Sequence, residues 1–401
     1  MRALIAFDKF KDALAAPQAC AITADTLRDL HPEWEFDVCP LADGGEGFCE
    51  ILTRAAHGTL EKFTVTGPRG TPVVAPIGFV AQRKIPAAAR QLLGLKATNT
   101  GTIALIEMAA ASGLALVPPD QRDPWQATSF GTGELIRHAA ARGVATILLG
   151  VGGSATHDLG YGALSALGIN ALNAKNTAMI PPIPARWPEI QELRGSIPAS
   201  FPTLNIACDV TNPLLGPQGA AAIYAPQKGL SPADLARLDH QSARLAQLLC
   251  RHCDQPDTLM EAPGAGAAGG IAFGLMTAAR AQLIAGYDLV SAWLDLEARV
   301  ANADLVITGE GRFDASSLSG KGPGALAARA RTLGKSTHVF AGAVTAGPIA
   351  GLNLHAITPP QVPLAIALQE TPALLAAAIA HTFPAIHSAP SDSTDSTQVT
   401  P

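Results

Sequence analysis

Residues 144–154, VATILLGVGGS, run as an unbroken apolar strand into a glycine turn, and the helical run GALSALG follows from Gly162. Strand, glycine turn and helix in that order constrain the fold strongly. A parallel neighbour needs a long crossover, and a helix packed on the sheet face supplies it. The alternation recurs at both ends of the chain. Residues 1–7, 35–41 and 60–66 read as strands, and 17–30 and 46–57 as helices. Strands at 304–308 and 337–341, with helices at 323–333 and 364–382, resume the pattern and can complete the sheet that the first residues begin. Between them lie strands at 103–108, 144–150 and 204–209, helices at 132–142, 161–168 and 232–252, and a proline-rich connector at 181–202. The expectation is an α/β fold in which both chain ends, 1–68 and 285–385, build one domain around an inserted α/β domain, 69–284. The polar, proline-bearing stretch 386–401 lacks core-forming side chains and is expected to be disordered.

At 401 residues, 48% of them hydrophobic and 15% charged, the chain can bury two sizeable cores. A net charge of −5 carries no nucleic-acid footprint, so any anionic ligand must be met by local cations such as Lys11, Lys228, Arg312 and Lys321. Six cysteines in a chain of this length form no disulfide framework. Cys250 and Cys253 stand in a helical run, LARLAQLLCRHC, and read as reduced thiols. The apolar run ALIAF is short and followed at once by Asp8, Lys9 and Lys11, which fits a first strand and not a signal peptide. Pro348, Pro359, Pro360 and Pro363 break the longest uncharged stretch, 336–369, before a helix can cross a bilayer. The expected setting is cytoplasmic, with small-molecule partners and neither membrane nor nucleic acid; the oligomeric state is left open.

Three loops carry chemistry. LVITGEGRFDASSLSGK (305–321) follows an apolar strand with glycines at 309, 311 and 320 that let backbone N–H groups approach an anion. In it Glu310 and Asp314 can hold Mg²⁺, while Arg312 and Lys321 can neutralise phosphoryl oxygens. Gly152, Gly153 and Ser154 lie where a helix N-terminus can face a nucleotide phosphate. PGAGAAGG (263–270), with Gly264 and Gly266, again precedes an apolar helical run. Neither glycine loop fits the dinucleotide fingerprint or ends in GK[ST], which disfavours a dehydrogenase and a P-loop NTPase. Each loop taken singly is also what close backbone packing produces.

The ordered set FDKFKDAL (7–14), PLADGGEG (40–47), VTGPRG (65–70), IEMAAASGL (106–114), RDPWQATSFGTGELI (122–136), GVGGSATHD (150–158), ACDVTNPLLGPQGAA (207–221), YAPQKG (224–229), PGAGAAGG and ITGEGRFDASSLSGK (307–321) resembles the class I (type 1) glycerate kinases across most of the chain. The resemblance implies a Rossmann-like parallel-sheet domain formed by both chain ends, a second inserted α/β domain, and an active site in the cleft between them. It also implies ATP and Mg²⁺, and transfer of the γ-phosphoryl group of ATP to the 2-hydroxyl of D-glycerate, giving 2-phosphoglycerate; 3-phosphoglycerate stays open as product. Lys9 replaces a usual serine, His157 a usual asparagine and Leu159 a usual glycine, and 81–99 is extra length that reads as a short amphipathic helix on a loop. Those departures motivate a competing expectation, a non-catalytic sugar-acid or nucleotide-binding protein with the same fold.

Phosphoryl transfer needs a metal on the nucleotide phosphates, fixed cations on the equatorial oxygens and a carboxylate to take the hydroxyl proton. Asp209, at the end of the apolar strand LNIAC, is assigned as the base, against a turn-capping role, with Asn212 beside it to orient the substrate. Lys11 and Arg312 are assigned to the transferring phosphoryl, and Lys321 to a nucleotide phosphate. Glu310 and Asp314 are the metal candidates, with Asp43 and Glu46 competing. Ser112, Arg122, Ser129 and Thr132 are the donors expected for the glycerate carboxylate.

Overall fold

A computed structural model describes residues 1–96, 100–315, 317 and 322–385. In chain order the strands are β1 Arg2–Phe7, β2 Glu35–Val38, β3 Thr59–Thr66, β4 Pro72–Ala81, β5 Thr102–Glu107, β6 Thr146–Gly150, β7 Asn170–Asn173, β8 Ile190–Arg194, β9 Thr203–Ala207, β10 Gln282–Ile284, β11 Leu305–Phe313, β12 Ser336–Val344 and β13 Asn353–Ala356. They form mixed α/β architecture on two main sheets. The first is wholly parallel, in the order β13-β12-β11-β1-β2. Helices cover both of its faces, so β1 is buried from Ala3 to Phe7 and reads as a continuous apolar run. Ala19 and Leu27 of helix Ala16–Leu30 and Leu375 and Ile379 of helix Leu364–Thr382 pack against Ile5 and Phe340. On the opposite face Leu289, Val300 and Leu326, from three other helices, meet Leu4 and Val306.

The second sheet has the order β10-β9-β6-β5-β4-β3, parallel from β10 to β5 and antiparallel at β5-β4-β3. One core joins the sheets. Phe48 and Leu52 of helix Phe48–Ala55, with Trp293, share a buried cluster with Leu4 and Ala6 of β1 and with Leu105 and Leu148 of β5 and β6. This packing holds the carboxyl ends of the parallel strands of both sheets around a common space.

The structure corrects several expectations. The strand expected near 60–66 belongs to the second sheet, where β3 pairs antiparallel with β4, so the first sheet is left well before residue 68. Strand β4 was missed because PVVAPIGFVA carries Pro72, Pro76 and Gly78, residues that argue against a sheet interior. The connector at 181–202 contains a 3₁₀ turn, Pro184–Glu189, with Trp187 fully buried, and then β8, which pairs antiparallel with β7. Strand β11 runs on through Phe313 and pairs with β12 as far as Phe313 with Val344, so Glu310 and Arg312 are strand residues and not loop residues. The extra length near 81–99 includes the short helix Ala87–Leu92; its last three residues, Lys321, Gly320 and 386–401 lie outside the described residues. Helix Leu364–Thr382 is long and apolar enough to cross a membrane by length and composition, and one side of it is docked on the first sheet through Leu375 and Ile379.

Candidate active site

The strand ends frame a cleft of about 360 Å³. Lys9, Lys11 and Asp12 follow β1, Val151 to Ser154 follow β6, and Cys208 to Val210 follow β9. Asp43, Gly45 and Glu46 come from the loop after β2, while Tyr224, Gln227 and Lys228 close another side. β1 and β11 are neighbours from opposite ends of the chain, and the sheet reverses its winding there. Ligand sites of open α/β sheets form at that kind of point.

Carboxylates gather at the β1 end of the cleft around one ammonium. Lys9 Nζ lies 3.3 Å from Asp43 Oδ1, which also accepts the Gly45 N–H at 3.1 Å. Burial lifts the Asp43 carboxyl, but the Lys9 charge and the Gly45 N–H outweigh it and hold the group below its usual range. Burial lowers Lys9, and Asp43, Asp8 and Glu46 more than reverse this, so the ammonium stays charged. Asp8 is pushed up to about 7, by burial first and then by Asp43 and Glu310, with Lys9 opposing. Burial also raises Glu310, whose Oε1 is buried with no hydrogen-bond partner among the described residues. No three His, Cys, Asp or Glu among the described residues close into a ready metal cage.

Asp209 lines the cleft, and both its carboxylate oxygens accept the Tyr287 N–H at 3.1 Å, at the start of helix Gly286–Trp293. It therefore caps a helix, and the helix N-terminus favours its negative charge. Gly152 is there for contact: a Cβ would stand 2.6 Å from the Gly45 Cα, and its N–H is spent on the Gly44 carbonyl at 3.0 Å. Gly153 and Ser154 line the cleft beside it, with Ser154 Oγ accepting from Lys228 Nζ at 2.9 Å.

Other expected site residues are not brought to the cleft. Ser112, Ser129 and Thr132 are fully buried and bonded internally: Thr132 Oγ1 donates to Ser112 Oγ at 2.8 Å, and Ser129 Oγ to Asp158 Oδ2 at 2.8 Å. Of that set only Arg122 reaches the cleft. Both ends of the Asn212 amide are engaged, by Gln218 O and by the Tyr224 hydroxyl, so it ties a loop together. Gly264 and Gly266 allow close packing on the segment after β9: a Cβ at 266 would lie 2.3 Å from Pro213 O, and the cleft is lined by Ala267 and Ala268 instead. Arg312 points outward on β11 and pairs with Asp314 at 3.4 Å. Its neighbour Gly311 abuts the Lys11 backbone, which leaves Arg312 near the Lys11 segment without lining the space. Glu310 and Asp314 likewise lie outside the lining.

His157 is no catalytic partner: burial drives it down to about 3, and its Nε2 lies 3.1 Å from Ser242 Oγ in the core. Leu159 takes φ +52, a backbone conformation that a glycine adopts more easily, and its side chain is fully buried. Sequence reasoning missed Asp8, Lys9, Tyr224 and Gln227 as site residues. For the first two the available signal was position, immediately past the carboxyl end of the first strand.

Glu107 ends β5 and its Oε2 accepts the N–H groups of Gly47 at 3.0 Å and Cys49 at 3.4 Å, at the start of helix Phe48–Ala55. Burial lifts its carboxyl to about 7, against those two bonds. A raised carboxyl stabilises the fold below its unfolded value, and the contribution is lost as pH rises through about 7. Glu107→Gln is therefore expected to flatten part of the stability decline between pH 5 and pH 8, by on the order of 2 kcal/mol at the upper end. Urea midpoints at the two pH values check this; equal slopes for both proteins reject it.

The glycerate kinase family profile matches residues 3–387. A glycerate kinase of Haemophilus influenzae is 38% identical over 348 residues, covering 85% of this chain and 86% of that protein. A glycerate 2-kinase of Escherichia coli is 37% identical, covering 86% of each chain. A crystal structure assigned to glycerate kinase 2 of Salmonella typhimurium LT2 superposes with a TM-score of 0.73 at 37% identity, over 96% of this chain and 97% of that one. With the family profile spanning nearly the whole chain and relatives more than a third identical over most of their length, the chain belongs to the glycerate kinase family.

Proposed function

We propose that the chain is a class I glycerate kinase that transfers the γ-phosphoryl group of ATP to the 2-hydroxyl of D-glycerate, with its two sheets as two domains and its site between them. The observation that carries this reading is the cleft that brings Lys11 and Asp209, past strand ends, together with Arg122, in a chain more than a third identical to glycerate kinases. Lys11 meets the transferring phosphoryl, Asp209 takes the hydroxyl proton, and Gly153 and Ser154 border the nucleotide phosphates. The name of the Escherichia coli relative, glycerate 2-kinase, favours the 2-hydroxyl over the 3-hydroxyl.

Magnesium fits as an ion carried in on the nucleotide: it takes hard oxygen ligands and usually only one or two protein carboxylates beside phosphates and water. Glu310 Oε1, which has no hydrogen-bond partner among the described residues, and the Asp43 carboxylate are the oxygens proposed to meet it, with Asp314 just after β11. When bound, it would neutralise phosphate charge. Arg312 is proposed to add cationic charge near the Lys11 segment, while Lys321, expected on a nucleotide phosphate, lies outside the described residues.

Purified protein given D-glycerate, ATP and Mg²⁺ is expected to release ADP and a product that enolase consumes directly. Phosphorus NMR then distinguishes 2-phosphoglycerate from 3-phosphoglycerate. Absence of ADP above background rejects the kinase reading.

A further inference from the structure

Lys228 is 2% exposed, yet it borders the cleft. Its Nζ donates to Ser154 Oγ at 2.9 Å and to Thr156 O at 2.6 Å, two uses for a group with three N–H donors. No carboxylate of the described residues comes within 4.0 Å of it. Asp158 is the acid whose field reaches it, and that carboxylate is already held by Ser129, Gly160 and Gly162. Burial accordingly draws the amine down to about 7. An ammonium placed in the interior without a counter-ion is costly unless a ligand brings one.

Arg122 stands next to it. Both residues line the main cleft and a small recess off it, where Arg69 and Asp123 are the other charged groups. Arg122 Nε is buried with no hydrogen-bond partner among the described residues. The two segments are locked backbone to backbone: a Cβ at Gly229 would stand 2.1 Å from Arg122 O. The cleft lining thus carries Asp12, Asp43, Glu46 and Asp209 with Lys9 and Lys11, while Arg122 and Lys228 add two cations with donors unused among the described residues.

We infer that Lys228 and Arg122 together form the clamp for the carboxylate of the acceptor substrate, and that Lys228 sets the preference for a hydroxy acid over an uncharged polyol. This rests on the kinase reading for the identity of the acceptor. A guanidinium offers a paired set of donors to a carboxylate, and the third N–H of Lys228 adds a charge-assisted bond. The same cations suit a nucleotide phosphate, so the test separates the two anions.

Lys228→Met keeps the length of the side chain and removes the charge. It is expected to weaken D-glycerate by roughly 30- to 100-fold, read as KM and as calorimetric Kd, with KM for ATP nearly unchanged. The ratio of kcat/KM for D-glycerate to that for glycerol is expected to fall by a similar factor. Lys228→Gln, which can still bond to Ser154 and Thr156, is the second variant if the first does not fold, and it is expected to show the same loss. Unchanged glycerate affinity overturns the inference, as does a larger loss for ATP, which assigns the cations to the nucleotide. Wild-type protein that binds D-glycerate without turnover removes the kinase reading alone, because the calorimetric comparison still decides the clamp. Wild-type protein that does not bind D-glycerate overturns it.

Discussion

Replacing Asp209 by asparagine is expected to lower kcat by about 10³-fold, the scale of a general base, with both KM values nearly unchanged. The reasoning starts from placement. Asp209 follows β9 by two residues and lines the cleft, so the carboxylate is carried on a strand end and not on a wandering loop. The Tyr287 N–H holds it at 3.1 Å from both oxygens. Asparagine keeps an oxygen for that N–H but cannot take a proton from a substrate hydroxyl. The loss of negative charge at the helix end costs about 0.3–1 kcal/mol. An interaction made only in the transition state lowers kcat and kcat/KM together. The measurement is steady-state kinetics at saturating ATP with a urea midpoint as a control on folding. A kcat within fivefold of wild type would reject Asp209 as the base.

The parts of the fold that were readable are those whose burial is simple. β1 from Ala3, β6 from Ile147 and β11 from Leu305 to Ile307 carry uninterrupted apolar runs because both faces are covered, and that pattern survives without knowledge of neighbours. β4, β7 and β8 were not readable, since prolines and short length mask strands that only their antiparallel partners make plain. Glycines at 309 and 311 suggested a loop, whereas the β12 ladder carries β11 through them. The expected residues that line the cleft, among them Asp209, Lys11 and Gly153, stand just past strand ends or on the turns there. Hydroxyls inside motifs gave no such guide. Ser129 and Thr132 look like ligand donors in sequence, but a buried network consumes the same chemistry, and only the third dimension tells which use prevails.

That network makes the second large prediction. Asp158 is fully buried, and its Oδ2 accepts Ser129 N–H at 2.7 Å, Ser129 Oγ–H at 2.8 Å and Gly162 N–H at 3.2 Å, while Oδ1 accepts Gly160 N–H at 3.1 Å. Burial raises its carboxyl, and these four bonds oppose that. One side chain therefore joins the starts of helices Phe130–Ala141 and Tyr161–Ala166, a few residues after the cleft-lining Gly152 to Ser154. Asp158→Ala leaves three backbone N–H groups and a hydroxyl facing a void, and is expected to cost about 3–5 kcal/mol of stability. Asp158→Asn is expected to lie between, because its amide oxygen can take the Oδ2 bonds while its NH₂ opposes the Gly160 donor. Urea titrations of the three proteins check the order, and an alanine variant within about 1 kcal/mol of wild type, less than a single lost buried bond, would mean that water replaces the carboxylate there. Lys228 supplies a second readout, since its Nζ bonds Ser154 and Thr156, two to four residues before Asp158 in the same segment. Loosening that segment is expected to weaken D-glycerate in Asp158→Asn even where the protein remains folded, tying the stability of the loop to the anion site it supports.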